Sequence, residues 1–409
     1  MCGMPAPATA TLPRDLRVIG LVGTAHFTSH FFQLTLPPLF PLIRDDLGVS
    51  YVSLGLLVSL FYAASGAGQP VAGILVDRVG ARPVLLGGMA VLAGAMTLAG
   101  TSGWYGMLAL LAVLAGLGNS VFHPADYSLI NASVDASRVG RAYSVHQVSG
   151  TLGYAAGPAV AVTLATLGGW RSALSVSGAV GLAATLLMAT QREALGGYAP
   201  APQHGASGRP GLGLGRDLRL LLTAPILSAF TYFVLHATAQ IGFQTFAVTA
   251  LSRIYDVPLA LVAGVLTSFL LGSAVGVLAG GVLADRTGRH DALAAAGLLL
   301  AAGAMLGVAG ATLAPVALTA LATAGGFCLG LTAPARDMLI RSAAPAGASG
   351  RVFGFAYSGL DVGSAVTPLL FGWFLDRGHP RAVFVAAALL LVLTSLTLAG
   401  FRRRPAGAR

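Results

Sequence analysis

Two histidines, His26 and His30, stand with Gln33 at positions i, i+4 and i+7, which puts all three on one face of a helix. A second set repeats the arrangement: Tyr232, His236, Gln240 and Gln244 fall at i, i+4, i+8 and i+12. Both sets are embedded in apolar sequence. Polar groups there are costly in lipid and face a cavity or one another. The two faces are therefore either substrate-binding and proton-coupling surfaces or interhelical hydrogen bonds. Three charged residues also lie deep in apolar runs. Asp361 follows Arg351 by ten residues, about 15 Å along a helix, and is the carboxylate best placed to take up and release a proton. Its alternative role is a packing hydrogen bond to Ser or Thr. Asp126 and Arg336 occupy equivalent positions in two related segments, with opposite charge. They are expected near one mouth of a cavity. Either they gate the inner mouth as a pair, closed when the cavity faces outward, or Arg336 pairs locally with Asp337 or Asp361. Arg336 is also the intramembrane cation that could meet an anionic substrate.

The elements that carry these residues must be long and apolar. Charged residues make up 9% of the chain and apolar residues 56%, against roughly 25% charged for a soluble domain. Such a chain cannot cover a globule of this size with charge, so most of its surface faces lipid. A bilayer core needs about 20 apolar residues per helix. Runs of that kind lie at about 18–43, 51–76, 83–101, 104–132, 142–167, 171–189, 221–249, 258–284, 292–312, 314–340, 352–375 and 381–401. Helix is the spanning state, because every backbone group must be satisfied internally. The segment Met1 to Arg17 lacks the apolar core of a cleavable signal.

Charge placement gives orientation. All 24 basic residues are Arg. With the N-terminus in the cytoplasm, eighteen fall on the inner side and five on the outer, with Arg336 left near the inner end of the tenth run. That is the positive-inside pattern of an inner-membrane protein with both termini cytoplasmic. The net charge of +10 does not mark a nucleic-acid binder, since the Arg residues sit singly or in pairs between apolar runs. Cys2 and Cys328 are too far apart for a disulfide or metal pattern.

The stretch 191–219, rich in Gly, Pro and Ala, reads as a cytoplasmic linker. It divides the chain into six-helix halves, 1–190 and 220–409. The halves repeat. At an offset of 210, His26 matches His236, Pro124 matches Pro334, and Gly153 and Pro158 match Gly363 and Pro368. At an offset of 208, GILVDRVGAR (73–82) matches GVLADRTGRH (281–290). Repeated six-helix units with a site near the midplane between them are a transporter architecture.

GILVDRVGAR resembles the loop between helices two and three of the major facilitator superfamily, G-x-L-x-D-R-x-G-x-R. Gly73, Leu75, Asp77, Arg78, Gly80 and Arg82 match, and the second copy supplies Gly281, Leu283, Asp285, Arg286, Gly288 and Arg289. Gly73 and Gly281 are expected to let helices approach closely, and Gly80 and Gly288 to make tight turns. Asp77 is expected to accept hydrogen bonds from a neighbouring helix N-terminus, which the helix dipole favours. The segment 149–160 resembles the helix-five motif of the superfamily's antiporters at Gly153, Gly157 and Pro158, while Ala161 and Val162 replace its last glycines. Small-residue packing is the alternative account of Gly153 and Gly157. The helix-four Arg of the superfamily is replaced by Ala112. Four segments, 25–43, 69–77, 116–130 with Phe122-His123-Pro124, and 144–158, are similar to the fosmidomycin-resistance branch.

The resemblance implies an all-α fold of twelve transmembrane helices in two pseudo-symmetric bundles. Helices one, four, seven and ten would line a central cavity. It also implies a secondary transporter that exports a drug or organic compound against protons, with a small-molecule substrate and no nucleic-acid partner, acting as a monomer. An uptake carrier or exchanger for a small organic anion is the alternative. A receptor or scaffold would need an attached domain, and no loop is long enough to hold one. An enzyme would need a nucleophile–base pair or metal ligands. His26 and His30 have metal-ligand spacing, but no carboxylate accompanies them on their helix, so no metal or other cofactor is expected.

Overall fold

A computed structural model describes residues 12–135, 137–191, 195, 222–343 and 349–401, and the regular structure among them is helical throughout. The linker expected over 191–219 lies almost wholly outside the described residues. The first half holds α1 (Leu12–Gln33), α2 (Phe40–Leu47), α3 (Tyr51–Val79), α4 (Ala81–Ala99), α5 (Tyr105–Asn119), α6 (Phe122–Ser133) and α7 (Val139–Thr190). The second half holds α8 (Ala224–Tyr255), α9 (Leu259–Arg286), α10 (His290–Gly310), α11 (Pro315–Ala343), α12 (Ser349–Asp376) and α13 (Pro380–Thr397).

Nine stretches among the described residues are long and apolar enough to cross a membrane. One of them, α7, has 52 residues and folds back at Gly168 and Gly169, where Gly169 takes φ 77°. It crosses twice, as the sequence runs 142–167 and 171–189 require. With α1 (Leu12–Gln33) and α12 (Ser349–Asp376), long enough but less apolar, the crossings number twelve.

Prolines divide two of the expected runs. The run 18–43 is not one span: α1 ends at Gln33, a 3-10 turn covers Pro37–Leu39, and α2 follows. Consecutive prolines offer no N–H to continue a helix. The run 104–132 breaks between Asn119 and Phe122. Pro124 explains the position, since a proline ring displaces the carbonyl four residues earlier, here Ser120. That break leaves Asn119 and Asp126 on separate short helices inside one membrane crossing.

Within the first half, α7 packs on α1 and α4, and α5 packs on α3 and α4. The second half repeats this with α12 on α8 and α11 on α9 and α10. The halves meet along two seams, α3 against α12 and α7 against α9. The first seam is backbone against backbone. A Cβ added at Gly55 would lie 2.3 Å from the Pro368 carbonyl oxygen, and one at Gly372 would lie 2.5 Å from that of Tyr51. At the same end, Asp376 caps α3: the Tyr51 and Val52 amides donate to its two carboxylate oxygens at 2.8 and 2.9 Å. Phe40 packs on Phe246 with ring centroids 5.6 Å apart, and the Arg253 guanidinium lies 4.7 Å from the Tyr51 ring centre. On the second seam, Thr267 Oγ1 donates to the Ala155 carbonyl at 3.0 Å. This is the Arg-poor end of the molecule, and it is closed.

Gly55→Ala should break that closure. Over-packing costs about 1–3 kcal/mol, enough to shift a two-state equilibrium about tenfold. Transport at matched expression is expected to fall by about that factor. Unchanged flux would show that the seam tolerates separation.

Candidate functional site

The polar side chains of the first half converge on one place. Gln33, at the end of α1, is its hub. Its Oε1 accepts from Tyr154 Oη of α7 at 2.7 Å and from Tyr62 Oη of α3 at 3.2 Å. Its Nε2 donates to Ser29 Oγ at 3.2 Å and Asn119 Oδ1 at 3.4 Å. Ser29 Oγ donates to the same Asn119 oxygen at 2.6 Å, and Asn119 Nδ2 donates to Ser65 Oγ at 2.9 Å. Four helices, α1, α3, α5 and α7, are thus joined by amides and hydroxyls in a region that lipid surrounds. Such networks are stable only when their members are satisfied.

One and two turns nearer the start of α1 lies an ionisable cluster. His26 stacks on His146 of α7 with centroids 3.6 Å apart and touches His30 and His123 at 4.3 and 5.4 Å. Asp126 of α6 is fully buried against them. Its Oδ2 lies 3.0 Å from His146 Nε2 and 3.5 Å from His26 Nδ1. His30 packs on the Tyr154 ring at 4.2 Å, which links the cluster to the Gln33 network. Gly150 makes room for both imidazoles, since a Cβ there would sit 2.7 Å from the His26 ring and 3.0 Å from His30 Nδ1. His123 and its neighbour Tyr127 are exposed at the cluster's edge. Tyr127 lies in electrostatic range of Asp337 and Tyr357 of the second half, so this edge faces the space between the bundles.

The second half is built differently. His236 of α8 stacks on Tyr232 with centroids 5.6 Å apart. Arg336 of α11 lies over the Phe233 ring at 4.9 Å, and its Nε donates to Asp337 Oδ1 at 2.9 Å. Tyr357 Oη donates to the same oxygen at 3.0 Å. Gln240 is half-buried beyond them, and neither amide atom of the buried Gln244 has a hydrogen-bond partner among the described residues. Asp361 stands apart on α12, half-buried at the α3 seam. A Cβ added at Gly66 would lie 3.2 Å from its Cβ and Cγ. Pro70 follows four residues later inside α3 and so gives the Gly66 carbonyl no helical N–H.

In this state, closed at the Arg-poor end, Asp126 and Arg336 are apart: Asp126 lies against histidines and Arg336 against Asp337, each within its own bundle. Several expectations for the loop motif need correction. Gly73 and Gly281 mark no close helix contact, since nothing lies within 4 Å of a Cβ added at either. Gly80 does make the turn, with φ 94°, but Gly288 is not among the glycines of positive φ. Asp77 is exposed and has no hydrogen-bond or ion partner among the described residues; Arg78, Asp285 and Arg286 are exposed as well. Arg82 donates to the Ala189 carbonyl at 2.8 Å and caps the end of α7, where the helix dipole favours a cation. At Gly157 a Cβ would lie 2.8 Å from the Phe31 carbonyl, and at Gly153 one would lie 2.3 Å from that of Phe27. Packing of α7 on α1 therefore accounts for both glycines, and Pro158 is buried beside them.

His123, His146, Tyr154, Tyr62 and Asn119 were not singled out by spacing along the chain. They lie on four other helices, and no periodicity within one helix links them to His26. One signal was present: His123, His146 and Tyr154 all fall in the segments similar to the resistance branch.

The Major Facilitator Superfamily family model matches residues 22–249 and 228–409. The chain is 28% identical over 390 residues to the chloramphenicol resistance protein of Streptomyces lividans, covering 95% of this chain and 96% of that one. It is 28% identical over 159 residues to the fosmidomycin resistance protein of Escherichia coli K12, a match that spans 39% of each chain. Its fold is that of a bacterial homolog of the human lysosomal transporter Spinster in an inward-facing and occupied conformation, with a TM-score of 0.78 over 97% of this chain and 100% of the other at 14% identity.

Gln33→Leu should destabilise the protein, because it leaves the Tyr62 and Tyr154 hydroxyls without their acceptor at a cost of about 1–3 kcal/mol per buried group. Tyr62→Phe removes one donor and should cost less. Thermal unfolding in detergent reads both, and equal midpoints would contradict the hub role. Twelve crossings, a repeated half with its loop motif, two bundles meeting on two seams and a family model spanning nearly the whole chain agree: the chain belongs to the Major Facilitator Superfamily of membrane transporters.

Proposed function

We propose that this chain is a proton-coupled antiporter that exports a small organic compound across a bacterial inner membrane. The bundles 1–190 and 220–409 rock about the 191–219 linker and expose the site alternately. The observation that carries this reading is the position of Asp361. It is a carboxylate deep in the membrane, without a charged partner among the described residues, on the seam that must open and close. An unpaired charge there is costly, so a proton is the natural counter-charge. The neutral acid also has a hydrogen to give, and the Gly66 carbonyl beside it lacks its helical donor. Opening the seam to one side and then the other would let Asp361 load and unload.

The resistance proteins among the relatives support export of a drug-like compound. Uptake of an organic anion is the second reading, and it rests on Arg336. That guanidinium is 13% exposed and already matched by Asp337, which favours export. Closure at the Arg-poor end makes this an inward-facing state if the termini are cytoplasmic.

Two measurements check the proposal. In proteoliposomes with an imposed pH gradient, screened with chloramphenicol, fosmidomycin and other small organic antibiotics, the native chain should accumulate a substrate uphill. Asp361→Asn should lose that accumulation and keep substrate exchange. Uphill transport with a normal pH profile in the variant would remove Asp361 from coupling. For orientation, a single cysteine replacing Ser207 should resist an impermeant thiol reagent in intact cells; labelling from outside would reverse the topology.

A further inference from the structure

The expectation of no metal rested on the lack of a carboxylate near His26 and His30 on their own helix. The fold supplies one from α6 and a third imidazole from α7. The ligating atoms of His26, His123 and His146 all lie within 4.8 Å of one another. Asp126 Oδ2 lies 3.0 Å from one of these rings and 3.5 Å from another. Asp126 Oδ1 and His26 Nδ1 are buried with no hydrogen-bond partner among the described residues. A fully buried carboxylate facing imidazole nitrogens, with no Arg in contact among the described residues, lacks a fixed counter-charge, and buried charges are paired or coordinate metals.

We propose that His26, His123, His146 and Asp126 form a binding site for one divalent transition-metal ion. Three nitrogens and one carboxylate oxygen are a donor set for zinc, cobalt or nickel rather than for magnesium or calcium. Ligands at the usual zinc distances of about 2.0–2.2 Å sit roughly 3.4 Å apart around a tetrahedron. The nitrogens lie within 4.8 Å of one another, so closing the site needs side-chain rotations that bring the most distant of them about 1.4 Å nearer. His26 and His146 are already stacked, and Gly150 gives the His26 ring the space it occupies. His123, exposed toward the space between the bundles, gives the entry path. The ion would tie α1, α6 and α7 together within one bundle, so it would brace that bundle without locking the α3–α12 seam. The site is independent of Asp361, which lies on the opposite bundle.

The test uses the purified full chain in detergent, stripped with chelator and titrated with Zn2+ or Co2+. One equivalent should bind saturably, and bound cobalt should show the intense visible absorption of tetrahedral nitrogen–oxygen coordination. His123→Ala, which alters an exposed side chain, should weaken binding by about tenfold or more. Asp126→Asn and His146→Ala should abolish it, while His236→Gln and Asp361→Asn should bind like the native chain. No saturable binding by the folded native chain would overturn the site, and so would binding unchanged in His123→Ala and in a His26→Ala/His146→Ala double variant. The measurement requires no transport, so its failure and the failure of proton coupling are read separately.

Discussion

The structure turns on how closely α3 and α12 approach. Gly55 and Gly372 bring backbone against backbone at one end of the seam. There Asp376 accepts two amide hydrogens from the first turn of α3. A carboxylate at a helix N-terminus meets both unsatisfied donors and the positive end of the dipole. The contact is buried at Tyr51, Gly55 and Gly372, and only the Asp376 cap reaches the surface. Closure made of a cap and glycine contacts can be undone as a unit, without unpacking either bundle. Each bundle has its own polar interior, while the apolar core runs across both halves.

That division explains the placement of the polar groups. The first bundle buries an amide and hydroxyl network on Gln33 together with a histidine–aspartate cluster. The second holds an Arg336–Asp337–Tyr357 set. The contacts of both sets lie within their own half. Asp361 is the exception. It sits on the seam beside Gly66, without a charged partner among the described residues. A group whose environment differs between two states is one whose proton or ligand occupancy can bias those states.

The internal repeat has been kept in the frame and lost in the interior. Matching prolines and the two loop motifs still shape corresponding helices. His30 and Gln240, related by the repeat, have different company: His30 lies among imidazoles and Tyr154, while Gln240 has no such cluster. The Gly80 turn has a positive φ and its counterpart Gly288 does not. Packing of helices constrains both halves alike, whereas the chemistry of the site needs only one copy.

By itself the sequence determined the membrane class, the twelve crossings, the repeat and the family motif. Each of these is written in local quantities: run length, charge between runs and spacing along one helix. It also put His26, His30 and Gln33 on one face, because that follows from helical geometry alone. It could not say whether Asp126 lies beside His26 and His146 or away from them. That choice depends on which faces of α1, α6 and α7 meet, and on the break that Pro124 puts between α5 and α6. Nor could it show that Gly73 faces open space while Gly55, without any motif, carries the tightest contact on the α3 seam. Equal residue types differ there only in what the other helix brings opposite them, which tertiary packing alone decides.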